Sequence, residues 1–246
     1  MKRGVKMRKL AVVSTTLVAA SILGLFFGVT QAQAHGVQFT APFPALEFAV
    51  ARANLIAQFF FQSFKILGFI GPWSAILSLG LGIFLNNALV AVIIAFSSPL
   101  ILKAKPFSDK YLAQIYYEHG IWLFKPIGWT PYRILSLILP IYGLALQCYL
   151  IGGIALMTGM KFTGAEFLPF EAISITIICV FASTLALSEN PDRDIPKYLR
   201  ILKKLLPMIL LIMFVAAILE AHSILITRNL PLNETHFLET YALSFT

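Results

Sequence analysis

The stretch WSAILSLGLGIFLNNALVAVIIAFSSPLIL, Trp73 to Leu102, decides the fold. It runs for thirty residues without a single charge. A helix needs roughly 20 mostly apolar residues to cross a bilayer, so this run is more than long enough to span. Its only strongly polar side chains are Asn86 and Asn87, adjacent and near its middle. Four further runs of comparable character flank it: about 10–30, 132–157, 167–187 and 205–226. The expectation is an all-α, polytopic helical membrane protein, with residues 1–246 forming a single membrane domain of five transmembrane helices.

Composition agrees. Of 246 residues, 59% are apolar and 12% are charged, and mean hydropathy is +0.83. Soluble proteins carry about twice that share of charge. A soluble domain, a disordered tail and a nucleic-acid binder are therefore excluded. Cys148 and Cys179 both lie inside apolar runs and read as small buried hydrophobes rather than as a disulfide framework.

One further apolar segment, 45–67, stands apart. Its polar residues Glu47, Asn54, Gln58, Gln62 and Lys65 are spaced 7, 4, 4 and 3. At helical periodicity they form one stripe, with Leu46, Val50, Phe60, Phe61 and Phe64 elsewhere. The segment reads as an amphipathic helix in the membrane interface. An ordinary span facing a polar partner helix is the alternative.

The loop charges test the span count. Lys2, Arg3, Lys6, Arg8 and Lys9 precede the first span. Lys103, Lys105, Lys110, Lys125 and Arg133 separate the second from the third. Arg193, Lys197, Arg200, Lys203 and Lys204 separate the fourth from the fifth. The other side holds only Arg52, Lys65, Lys161 and Arg228. Fifteen against four, by the positive-inside rule, predicts a multi-pass protein of the cell membrane with a cytoplasmic N-terminus and an extracellular C-terminus. The sequon Asn233-Glu234-Thr235 then falls outside. Ala32-Gln33-Ala34 resembles a signal-peptidase site before His35, but the preceding apolar run is long for a signal peptide, so it reads as a retained anchor.

Polar groups at membrane depth are costly and each asks for a reason. Asn86 and Asn87 could join helices by hydrogen bonds or line a polar cavity. Glu171 opens the fourth span after Pro169, where a carboxylate suits the helix N-terminus or lines a path. Glu220 lies two residues before His222 in the last span and calls for a buried partner. Gln147, beside Tyr142 and Tyr149, reads as packing. No H-E-x-x-H, G-x-S-x-G, Walker or C-x-x-C pattern occurs, so neither an enzyme nor a cofactor is expected. His35, His222 and His236 share the outer side and could accept copper or zinc, although no spacing brings them together. Lys197, Arg200, Lys203 and Lys204 begin a helix after Pro196 and read as a cytoplasmic surface for anionic lipid or a docking patch. Tyr111, Tyr116, Tyr117, Trp122 and Trp129 read as interfacial aromatics.

The segment from Gly82 to Ala91, centred on Asn86-Asn87, resembles a helix of the stage II sporulation protein M family of bacterial and archaeal membrane proteins. The run from Leu205 to Ala221, with Ala216-Ala217-Ile218-Leu219-Glu220, resembles that family's closing helix. The resemblance implies that Asn86, Asn87 and Glu220 are buried polar residues. It also implies a five-span membrane component without catalysis; in sporulating bacteria the family member joins an engulfment complex with peptidoglycan-remodelling partners. The leading expectation is a non-catalytic scaffold or complex subunit, in contact with the bilayer and other membrane proteins. The alternatives are a transport component lined by Asn86, Asn87, Glu171 and Glu220, and outer-face metal handling by the histidines.

Overall fold

The computed structural model describes residues 2–36, 44–157 and 165–227. The sequon, His236 and the rest of the tail lie outside them. Every regular element among the described residues is helical: α1 (Lys2–His35), α2 (Pro44–Ile66), α3 (Pro72–Phe107), α4 (Ala113–His119), α5 (Trp129–Met157), α6 (Leu168–Ala186) and α7 (Pro191–Thr227). Five of them, α1, α3, α5, α6 and α7, are long and apolar enough to cross a membrane. The chain is thus an all-α integral membrane protein of multi-pass type, with α2 as the amphipathic sixth long helix.

Local sequence explains where α3 starts and ends. Gly71 has φ 138°, a conformation open to glycine, and Pro72 follows at the first helical position, where its missing N–H is not needed. The helix continues through Pro99, and Tyr198 Oη of α7 donates at 2.7 Å to the Ala95 carbonyl that Pro99 frees; Ser98 Oγ likewise donates at 2.9 Å to the Ser136 carbonyl freed by Pro140 of α5. Such local adjustment lets prolines persist inside membrane helices. Just past Pro106 the backbone widens into a π turn over Ser108–Leu112, spanned by a Lys105–Asp109 ion pair. α7 begins at Pro191, well before its apolar run at 205. Its first turns are charged but amphipathic, and Ile195, Tyr198 and Leu202 bury their side chains.

Contacts between named residues fix the helix directions. Gly24 meets Ala145 and Cys148, and Gly28 meets Tyr149, so α1 and α5 run the same way. The α3 Ala95 carbonyl accepts from Tyr198 Oη at 2.7 Å, Phe84 meets Phe214, and Gly80 meets Ile218, so α3 and α7 are antiparallel. Glu171 meets Gln147 while Arg133 donates to the Ser188 carbonyl at 2.7 Å, so α5 and α6 are antiparallel. The five long apolar helices therefore alternate in direction. The first turns of α1, α5 and α7 share one end of the bundle with the last turns of α3 and α6.

The core has two main levels. At the end just defined, α1, α3, α5, α6 and α7 bury Leu17, Ile94, Leu144, Ile178, Leu202 and Ile209 among others. At the opposite end, a smaller core joins α2 (Ala57, Phe61), α3 (Ala75, Ile76, Leu79, Ile83) and α7 (Ala217, Ala221, Leu225). α2 forms an antiparallel hairpin with α3: the Ala53 carbonyl and Ala57 lie against Gly82, while Phe61 reaches the start of α3. The amphipathic helix is thereby tied along a span by its small residues, with Glu47, Gln62 and Lys65 left exposed.

Candidate functional site

The two levels meet at Asn86 and Asn87. Consecutive helix residues point about 100° apart, so these amides face different neighbours. Asn86, 8% exposed, faces α2: its Oδ1 accepts from Arg52 Nε at 2.9 Å and from a terminal guanidinium nitrogen of Arg52 at 2.6 Å. Its Nδ2 donates to Asn87 Oδ1 at 3.1 Å. Asn87 faces α6, and its Nδ2 donates to Glu171 Oε1 at 2.7 Å. The other carboxyl oxygen of Glu171 accepts from Gln147 Nε2 of α5 at 3.3 Å.

The result is a directional chain. A guanidinium donates at one end, a carboxyl accepts at the other, and two amides pass the polarity between them. Arg52 and Glu171 are the two ends of one hydrogen-bonded chain, so neither group stands without a partner at this depth. An isolated charge there would be far more costly. Four helices, α2, α3, α5 and α6, are joined by side chains that satisfy one another.

Local sequence places each member. Glu171 is in the first turn of α6, where a carboxyl group suits the positive end of the helix dipole. It is only 9% exposed. Arg52 stands well off the α2 polar stripe formed by Glu47, Asn54, Gln58, Gln62 and Lys65, and so belongs to a different face. Glu220, half-buried on α7, is near enough to Glu171 for the two carboxyls to interact electrostatically. The polar candidates Asn86, Asn87, Glu171 and Glu220 thus gather in one region.

Two participants were not apparent as site residues in the sequence. Gln147 reads as packing there and is found binding Glu171. Arg52 reads as a loop charge and is found capping the relay. The signal for Arg52 was its angular position: a cation away from the polar stripe of an amphipathic helix needs its own partner.

Of the three candidate histidines, His236 lies outside the described residues. His35 and His222 are exposed on different helices. Among the described residues no group of three or more His, Cys, Asp or Glu side chains could hold a metal ion. A cavity of about 10 Å³ at the α2–α3 turn, lined by Phe61, Lys65, Phe69, Ile70 and Ser74, has room for one water and does not include the relay residues. The chain matches no family model, and no curated protein and no solved structure is detectably similar to it.

Proposed function

We propose that this integral membrane protein is a non-catalytic scaffold, a subunit that assembles with other membrane proteins. One observation carries the reading. Of the polar side chains that could have lined a solute path, Asn86, Asn87 and Glu171 instead spend their hydrogen bonds within one chain, from Arg52 to Gln147, and tie four helices together. Such a relay supports a rigid frame. The resemblance to the stage II sporulation protein M family belongs to the same proposal, since Asn86, Asn87 and Glu220 are among the residues on which it rests. The test is isolation in mild detergent. The chain is expected to co-migrate with another membrane protein in fixed ratio; a monomer with no partner would overturn the reading.

The alternative, a transport component, draws support from the proximity of Glu171 and Glu220. Two carboxyls together at membrane depth are what a proton- or cation-coupled path uses. Under that reading Asn87→Ala abolishes the cellular phenotype while leaving the melting temperature unchanged. Under the scaffold reading, phenotype follows stability and protein level.

The proposed placement is the cell membrane, with the end that carries fifteen basic residues in the cytoplasm. Cysteines introduced at Leu67, in the α2–α3 turn, and at Leu123, beyond α4, are both at exposed positions on opposite ends of α3. In intact cells an impermeant thiol reagent should label the first and spare the second. The reverse pattern would invert the topology.

A further inference from the structure

The first turns of α7 carry a feature that the scaffold reading leaves unused. Arg193, Lys197, Arg200 and Lys204 are spaced 4, 3 and 4, so they fall within a sector of about 60°. All four are exposed. The opposite side of the same turns carries Ile195, Tyr198 and Leu202, each at most 4% exposed. The stripe therefore faces directly away from the bundle, and Lys203 flanks it.

Its neighbour makes it unusual. Four residues link α6 to α7, and Phe181 stacks on Tyr198 with ring centroids 4.5 Å apart. The uncharged inner half of α6 thus lies beside the charged turns of α7. Further along α7 the same face continues as Met208, Leu211 and Val215, exposed apolar side chains suited to hydrocarbon. Four cations spread along about 16 Å of helix border that apolar surface. Long basic side chains reach toward headgroups when they border hydrocarbon, but they still need counter-charge.

The chain supplies little. At this end, residues 103–133 and 188–204 hold ten basic side chains against five acidic ones. Asp109 is paired with Lys105. Glu118 accepts from Gln114. Asp194 accepts from Ser188 and lies 3.9 Å from Lys197. A second copy brings the same deficit. The same end also projects an arm of α4 and the turn after it, with Tyr117, Trp122 and Leu123 at least 75% exposed. Exposed aromatic and apolar side chains of that kind mark the headgroup layer.

We infer that the α7 stripe, Arg193, Lys197, Arg200 and Lys204 with Lys203, is a binding surface for the headgroups of anionic phospholipids. The phosphates bridge successive guanidinium and ammonium groups and complete the counter-charge that the chain lacks. The acyl chains lie on the apolar continuation of the same α7 face, at Met208, Leu211 and Val215. Lysine is a point donor and arginine a planar fork, so the stripe accepts phosphate in several geometries.

The test is lipid selectivity of the full chain reconstituted in phosphatidylcholine vesicles containing spin-labelled phosphatidylglycerol or spin-labelled phosphatidylcholine. The wild type should hold motionally restricted phosphatidylglycerol about fivefold over phosphatidylcholine, and the preference should fall as salt is raised. Joint replacement of Lys197, Arg200, Lys203 and Lys204 by Gln should abolish it. Replacement of the three lysines by Arg should retain it. Soluble inorganic phosphate at matched ionic strength should not compete. Equal association of the two lipids with the wild type, at low salt, would overturn the inference and leave the stripe to an acidic protein surface. That measurement needs no variant, so a Gln variant that fails to fold leaves the inference testable. Failure of the detergent isolation proposed above would bear on the scaffold alone.

Discussion

Two interfaces hold this bundle together by different means. Along α1 and α5 the contact is made by glycines. A Cβ on Gly28 would stand 2.0 Å from the Tyr149 carbonyl oxygen, one on Gly24 2.2 Å from that of Ala145, and one on Gly152 2.5 Å from that of Leu25. The helices touch backbone to backbone, and affinity comes from close packing, as small residues allow in lipid. Across α2, α3, α5 and α6 the contact is a chain of polar side chains. There the hold comes from groups that lipid cannot satisfy. The first interface fails by steric expulsion, at one residue. The second fails by stranding a donor or acceptor, and the damage passes to the next member.

The largest effect should come from the glycine seam. Gly28→Leu forces a side chain into backbone, and should lower stability by about 3 kcal/mol, the upper part of the overpacking range. Thermal unfolding in detergent would measure it, and loss of a crosslink between cysteines placed in α1 and α5 would show that α1 has left its groove. An unchanged crosslink would break the comparison. Next is Glu171→Leu, which strands the amide donors of Asn87 and Gln147 and should cost about 1–3 kcal/mol. Glu171→Gln retains an acceptor and should fall well below it. Equal losses for the two would mean that charge, and not hydrogen bonding, is what the relay needs. Asn87→Ala should lose about 0.6–2 kcal/mol, and combining it with Asn86→Ala should add less than the sum, because either cut opens the same chain. Additive losses would show two independent bonds. The smallest effect belongs to Gln147→Leu, whose bond to Glu171 is long at 3.3 Å and should be worth about 0.6 kcal/mol.

The contrast also shows what the sequence makes legible. Trp73–Leu102 declares a span because burial in lipid demands an unbroken apolar run, and periodicity identifies α2 because its polar residues share a stripe. Asn86, Asn87, Glu171 and Glu220 stand out because polar atoms at that depth are anomalous. Pairing is another matter. Nothing in the spacing says that Asn87 meets a residue 84 positions away, since helix order around a bundle is set by packing. Gln147 looked ordinary because glutamine is mild beside glutamate. The basic run marks a helix from Pro196 onward, and α7 starts five residues earlier, at Pro191, with Ile195, Tyr198 and Leu202 carrying the helical period of a buried face. The glycine seam did have a local mark, Gly24 and Gly28 four residues apart in an apolar run, but the need for glycine at those two places comes from α5.

The relay also has an inheritance. Its two amides take their orientation from their ends: a donor at position 52 turns both carbonyls toward α2, and an acceptor at 171 turns both amino groups toward α6. Exchanging the ends, Arg52→Glu together with Glu171→Arg, would let both amides flip and restore the same number of bonds. Either exchange alone sets like poles against each other. Lineages that drift at one of these sites should therefore drift at the other, and positions 52, 86, 87 and 171 should vary as one character rather than four.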